Sequence, residues 1–342
     1  MKKKAKYSIC IPIFGNPGML SFRTPNYKKI NYNDLKKLVL KCDNKKINSI
    51  FIADHTFLGN KGDIYECTTL MSAFASITKK INIGSIHLAN NFRHPTITAK
   101  IFCTLSHISN GRVILFYDYA WRKNEFSQTG IPFEKKNIRT KKMMEGLNII
   151  KKSFEEKKIN FNGKFYKIKN FICNPKPLKK IPIWLGEADN KLMVKEIAKN
   201  ADVFNSMPCG LDAYKKKIEI IKRECIKQKR NFNTLSQSLE TQLLIGKNDQ
   251  DLQKKIRKIA KRKIFNKSYD NDLISRLKEL NNKDIDYNNL ESLKNEFFIG
   301  TVGEIEKKIK KHRKAGIDHF MFWLMDFPDK YSLDKLINKI AK

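Results

Sequence analysis

The sequence lacks most of the features that would fix a function class at once. Its seven cysteines are dispersed (Cys10, Cys42, Cys67, Cys103, Cys173, Cys209 and Cys225), and no two are spaced as C-x-x-C. An odd, scattered set in a long chain does not read as a disulfide framework. Most of these thiols are expected to be small buried hydrophobes, and a reducing interior is their natural compartment. No long hydrophobic run is present. The apolar stretch Ile9 to Phe14 follows Lys2, Lys3 and Lys4, is broken by Pro12, and runs into Gly15-Asn16-Pro17. It is too short for a signal peptide or a membrane span, so a soluble cytoplasmic protein without a membrane partner is expected. There is no H-E-x-x-H, no cysteine cluster and no facial-triad spacing, so no metal is expected. The absence of a G-x-S-x-G elbow sets aside serine hydrolases, and kinase motifs are missing too.

Acidic residues are also scarce. The chain has 34 Asp+Glu against 69 Lys+Arg, a formal charge of +35. Such a balance can signal nucleic-acid binding. Here the charge is spread out: lysine pairs recur at Lys28-Lys29, Lys45-Lys46, Lys79-Lys80, Lys151-Lys152 and Lys254-Lys255, and no nucleic-acid-binding spacing accompanies them. No specific nucleic-acid partner is expected, only a field that favours anionic ligands.

What is present is a large apolar complement, 41% of 342 residues with 22 Phe. Strand-like apolar runs recur in alternation with helical patterns: Tyr7–Phe14, Ile50–Ala53, Ile81–His87, Val113–Tyr117, Ile183–Leu185, Asp202–Asn205, Leu239–Ile245 and His319–Leu324. Helices are expected between them, one capped by Asn33-Asp34, one starting at Pro95 and one running from Ile138 to Glu156. Continuous apolar strands alternating with helices indicate a parallel sheet covered on both faces. The fold predicted is a single (β/α)8 TIM barrel over residues 1–342. It carries an insertion with a hairpin at Asn162-Gly163 over 118–180, after the fourth strand, and a charged helical segment over 249–297, after the seventh. The rival is a doubly wound open sheet, but Gly15-Asn16-Pro17-Gly18 does not match its phosphate-loop fingerprint.

In such a barrel, polar residues just beyond the strand C-termini are the first suspects. Asp54-His55 follows the second strand. A rim imidazole can serve as a base, hold a cofactor ring, or simply fix a loop. His87, Asn90, Asn91, Arg93 and His94 cluster after the third strand, with His94 before Pro95 reading as a helix start. His107 lies near a helix end, where the dipole alone accounts for it. Gly186 with Glu187-Ala188-Asp189, and Gly300-Thr301, open helices whose N-termini suit phosphate.

Taken in order, these blocks carry a resemblance. Ile50–His55, Phe92-Arg93-His94-Pro95, Ser109-Asn110-Gly111-Arg112, Trp121–Phe126, Gly130-Ile131-Pro132-Phe133, Gly163-Lys164-Phe165-Tyr166, Pro175-Lys176-Pro177, Pro182–Gly186, Phe298–Thr301 and Ala315–Phe320 span nearly the whole chain. The chain resembles the luciferase-like monooxygenase family, in particular its coenzyme F420-dependent oxidoreductase branch. The resemblance implies hydride transfer between F420, or alternatively FMN, and a small organic substrate, with a reduced-flavin monooxygenase as a second implied activity. It implies Asp54 and His55 at the cofactor ring, with Asp54 orienting His55. Leu88, Ala89, Asn90 and Asn91 match a loop behind the ring that often holds a non-proline cis peptide. It implies that Asp118, Trp121 and Glu187 also bind the cofactor, and Gly186, Gly300 and Thr301 match phosphate-side positions. A homodimer through helices near the second and third strands is also implied.

The chain departs from the family pattern in two places. Relatives have a stretch like G-x-G-x-G-W after the fourth strand, where Phe116, Asp118 and Ala120 stand here before Trp121. A second glycine after the fifth strand is replaced by Glu187. A catalytically degenerate barrel that binds a ligand or a protein is therefore the third reading.

Overall fold

The computed structural model describes residues 4–14, 29–58, 62–186, 188, 190–260 and 289–341. Twelve strands are described: β1 (Lys6–Cys10), β2 (Ser49–Ala53), β3 (Asn82–Ile86), β4 (Leu88–Ala89), β5 (Val113–Asp118), β6 (Ile159–Asn162), β7 (Lys167–Phe171), β8 (Ile183–Gly186), β9 (Val203–Ser206), β10 (Ser236–Ile245), β11 (Phe298–Gly300) and β12 (His319–Leu324). Eight of them pair in parallel around a ring, β1-β2-β3-β5-β8-β9-β10-β12, and β12 returns to β1. This is the closed (β/α)8 TIM barrel.

The helices form the outer layer. They are α1 (Tyr32–Cys42), α2 (Cys67–Ile77), α3 (Pro95–Ile108), α4 (Lys123–Thr129), α5 (Lys136–Glu155), α6 (Lys191–Asn200), α7 (Leu211–Lys227), α8 (Asp249–Ala260), α9 (Leu290–Glu296), α10 (Val302–Lys314) and α11 (Tyr331–Lys335). The barrel strands are buried along almost their whole length, because helices cover one face and the barrel interior is the other. Outward-facing Phe320 and Phe322 stack with Tyr7 and meet Phe298. Inside, Phe51 packs 5.0 Å from Trp184. Gly84 makes this possible, since a Cβ there would lie 2.5 Å from the Phe51 ring.

Several expectations change at element level. The first strand stops at Cys10, not Phe14, because Pro12 has no N–H for the ladder; Ile11 still donates to the Phe51 carbonyl at 2.8 Å. The N-cap of α1 is Asn31, which accepts from the Asp34 N–H, not Asn33-Asp34. The short strands β4 and β11 were not expected. The hairpin β6–β7 forms as expected, and α5 packs between α3 and α6 as one of the barrel's own helices. His94 caps α3, with Pro95 in its first turn. Residues 15–28, Glu187, Asp189 and the middle of the charged segment, 261–288, lie outside the described residues. No helix among the described residues is long and apolar enough to cross a membrane.

Candidate active site at the barrel mouth

His55 stands just beyond the C-terminal end of β2, at the mouth of the barrel. Its Nδ1 lies 2.9 and 3.0 Å from the two carboxylate oxygens of Glu125 on α4. Glu125 is buried and also accepts from the Thr56 N–H at 3.1 Å. With Nδ1–H donated to this carboxylate, Nε2 is left to exchange a proton. Nε2 has no hydrogen-bond partner among the described residues. Trp121 meets the imidazole edge-on at 5.9 Å.

Asp54 does not orient His55. Its carboxylate takes both terminal nitrogens of Arg93 at 2.8 Å and the Ala89 N–H at 2.8 Å. A buried, bidentate pair of this kind fixes geometry. It locks the loop after β3 against the end of β2, and Glu125 takes over the role expected of Asp54.

That loop holds its own network. Leu88 and Ala89 pair with Tyr117 and Asp118 as β4. Asn90 accepts from the Tyr117 hydroxyl at 2.5 Å and donates to Tyr166 at 3.0 Å. Asn91 donates to Glu134. The expected non-proline cis peptide is not found at Leu88–Asn91; the cis bonds among the described residues are Asn174–Pro175 and Phe327–Pro328. The unusual backbone is one residue earlier, at His87, with φ +34°.

The His87 side chain is enclosed by charge. Nδ1 lies 3.2 Å from Asp118 and Nε2 lies 3.4 Å from Glu240. Burial disfavours the imidazolium, but the two carboxylates outweigh it and push the His87 pKa up to about 10. Glu240 also accepts from the Trp323 indole N–H at 2.7 Å. The His87 ring lies 4.3 Å from that of Phe116, which is fully buried. Phe116 in turn uses the space at Gly186: a Cβ there would meet its ring at 3.1 Å and the Asn205 carbonyl at 3.2 Å.

Ser238, Glu240 and Gln242 alternate along β10, so the contacts of Glu240 put all three on the inner face. The Gln242 Oε1 and the Asn205 Oδ1 are buried with no hydrogen-bond partner among the described residues. These are acceptors of the kind a polar ring would satisfy.

The phosphate-side positions fare differently. Thr301 and Glu304 close a capping box at the start of α10, with the Glu304 carboxylate taking the Thr301 N–H at 2.7 Å and Lys294 at 2.9 Å. Burial alone would raise the Glu304 pKa, yet Lys294 and Thr301 bring it down to about 2. The anion at this helix start is the protein's own, so Gly300-Thr301 does not fit a phosphate. The start of α6 is likewise capped by Asn190. The start of α7 has no side-chain cap, only Gly210, and Lys217 reaches to 3.4 Å from the Ser206 hydroxyl at the end of β9.

A closed barrel of parallel strands agrees with the comparisons with known proteins. Residues 13–319 match the luciferase-like monooxygenase family. The chain belongs to that family. It is similar to the F420-dependent glucose-6-phosphate dehydrogenase of Amycolatopsis mediterranei, 25% identical over 174 residues, which are 50% of this chain and 52% of that protein. The chain spans about half the length of the curated relatives it matches. Among solved structures, an F420-dependent secondary alcohol dehydrogenase in complex with an F420-acetone adduct superposes with a TM-score of 0.75 at 16% identity, covering 99% of both chains. The oxygenating constituent of 3,6-diketocamphane monooxygenase of Pseudomonas putida, in complex with FMN, superposes with a TM-score of 0.74 at 18% identity, covering 100% of this chain and 98% of that one. At these identities the likeness establishes the fold.

Within this luciferase-like barrel, the residues that sequence reasoning missed are Glu125, Asn205, Lys217, Glu240 and Gln242. Glu240 and Gln242 had a signal, since two polar residues two positions apart in one strand share a face. Glu125 had none, because it meets His55 from 70 residues away.

Proposed function

We propose that this chain is an oxidoreductase acting at the C-terminal mouth of the barrel, moving hydride between F420 and a small alcohol or carbonyl substrate. The observation that carries the reading is the His55–Glu125 pair, an imidazole held at Nδ1 by a buried carboxylate, with Nε2 unpartnered among the described residues. When bound, the deazaflavin supplies a ring carbon that takes or gives the hydride. Glu125 holds the Nδ1–H and stabilises the imidazolium once Nε2 has taken the substrate hydroxyl proton; the reverse step returns it. Trp121 restricts the swing of the imidazole. Asp54 and Arg93 keep Leu88 and Ala89 in place as the proposed wall of the ring slot, with Asp118 fixed beside them by His87. Gln242 and Asn205 offer their buried oxygens to ring N–H groups. Gly186, at the end of β8, and Glu187 remain proposed cofactor contacts. With Gly300-Thr301 self-capped, the anionic tail is assigned to the start of α7 and Lys217.

FMN in place of F420, with a reduced-flavin monooxygenase activity, is supported by the FMN-bound neighbour. One observation favours the non-enzyme reading instead, namely that a fully buried Phe116 ring packs against His87, Trp184 and Gly186 where the family pattern has glycine. We further propose a homodimer through α3, which leaves Ile97 and Ile108 exposed at 55% and 43%.

One experiment separates the readings. The protein is expressed in a host supplied with both cofactors, and the absorbance and fluorescence of what denaturation releases are recorded. Deazaflavin supports the first reading and flavin the second. If neither co-purifies nor binds on titration, Phe116→Gly is titrated next. Binding restored in that variant assigns the loss to the ring, and its absence rejects the redox function. In a cofactor-loaded protein, His55→Gln is expected to lower turnover by about 10²-fold or more at unchanged cofactor affinity, the size of a lost general base.

A further inference from the structure

We propose that Cys103 and Cys173 form a modification site, a shallow dithiol that a peroxide converts into an intramolecular disulfide. Cys103 lies on α3, and Cys173 lies where the chain leaves the β6–β7 hairpin. Their sulfurs are 3.6 Å apart, the only cysteine sulfurs in mutual contact among the described residues. A disulfide needs about 2.05 Å, so the sulfurs must close by about 1.5 Å. The Cys173 side allows this. Its thiol is buried, but its neighbours Ile172 and Asn174 are exposed, so the segment is a thin cover and not a packed layer.

The surroundings favour one thiol as the attacking group. Lys100, one turn before Cys103, donates to the Asn174 carbonyl, and Lys176 donates to the Ser153 carbonyl at 2.8 Å. The hydrogen bond with Cys103 lowers the Cys173 pKa, against burial and with help from both lysines. The same bond raises Cys103. Burial pushes Cys42 up to about 12 and raises Cys10, Cys67 and Cys225. The nucleophile is therefore Cys173, and Cys103 is placed to resolve it.

The chemistry balances with hydrogen peroxide as oxidant. The Cys173 thiolate attacks the O–O bond, giving a sulfenic acid and hydroxide, which takes up a proton to become water. The Cys103 thiol then attacks the sulfenic sulfur; the S–S bond forms and the departing hydroxyl leaves as water with the thiol proton. Two thiols and one peroxide give one disulfide and two waters. A small dithiol reverses it by exchange. This site lies outside the barrel mouth, and its test requires no cofactor.

The reduced full-length protein is treated with hydrogen peroxide while folded, then denatured, alkylated and digested without reductant. The expected result is loss of two of the seven thiols, with a Cys103 peptide joined to a Cys173 peptide. Alkylation of Cys173 should proceed at lower pH than that of Cys10, Cys42, Cys67 and Cys225. Cys103→Ser, with Cys103→Ala as a second variant, should leave a sulfenic acid on Cys173 that dimedone traps; Cys173→Ser should leave Cys103 unreacted. The proposal is overturned if both thiols stay free until the protein unfolds, if the link joins two molecules, or if the other five cysteines oxidise equally fast.

Discussion

His87 carries its charge between two carboxylates, Asp118 and Glu240, and this makes the barrel mouth sensitive to alkali. Its folded pKa of about 10 lies well above the ordinary histidine value of about 6.5. The stabilisation is therefore complete below about pH 6.5 and is lost as pH rises towards and through 10. His87→Gln removes this contribution. Wild type should lose melting temperature more steeply than the variant between pH 7 and 10, as followed by thermal unfolding; parallel slopes would show that another group titrates. The residue scale is also where the sequence was half legible. Asp54 and His55 stand out because they follow an apolar strand directly. Their partners do not, because Arg93 and Glu125 reach them from 39 and 70 residues away, and no local pattern encodes such a meeting.

Strands and helices were more legible than their ends. Apolar runs located all eight barrel strands because most are buried on both faces, but in β10 the run Leu239–Ile245 missed the polar start Ser236–Ser238. The two-residue β4 and three-residue β11 carry no such run and are set by their neighbours. Helix starts were readable as cap residues, but not what the cap does to a ligand. At α10 the Thr301–Glu304 capping box consumes the N–H group that a phosphate would take. Glu304→Ala is thus expected to cost about 1 kcal/mol of stability and to leave cofactor affinity unchanged. Lys217→Ala is expected to weaken that affinity about tenfold, the worth of one charge-assisted bond. Denaturant melts and cofactor titration of the two variants check both halves. Weaker binding in Glu304→Ala would return the anion to α10.

For the whole molecule, the +35 charge sets association. A dimer through α3 must overcome that repulsion, so it should tighten as salt screens it. Ile97→Lys should give a monomer by light scattering, with an unchanged circular dichroism spectrum, whereas a monomeric wild type would remove the proposal. The ring of strands has its own mechanical consequence. A hoop yields where a joint is interrupted. The joint between β3 and β5 has two paired positions, Ile83–Val113 and Gly84–Ile114, and resumes only at Leu88–Tyr117 and Ala89–Asp118 on β4. Between the two stretches the Ser85 hydroxyl substitutes for the ladder, bonding the Phe116 N–H and carbonyl at 3.3 Å. If the barrel dilates, it dilates there, and the strand that gives way is the one that carries Phe116. Opening that joint therefore also shifts the ring that packs against His87 and Gly186.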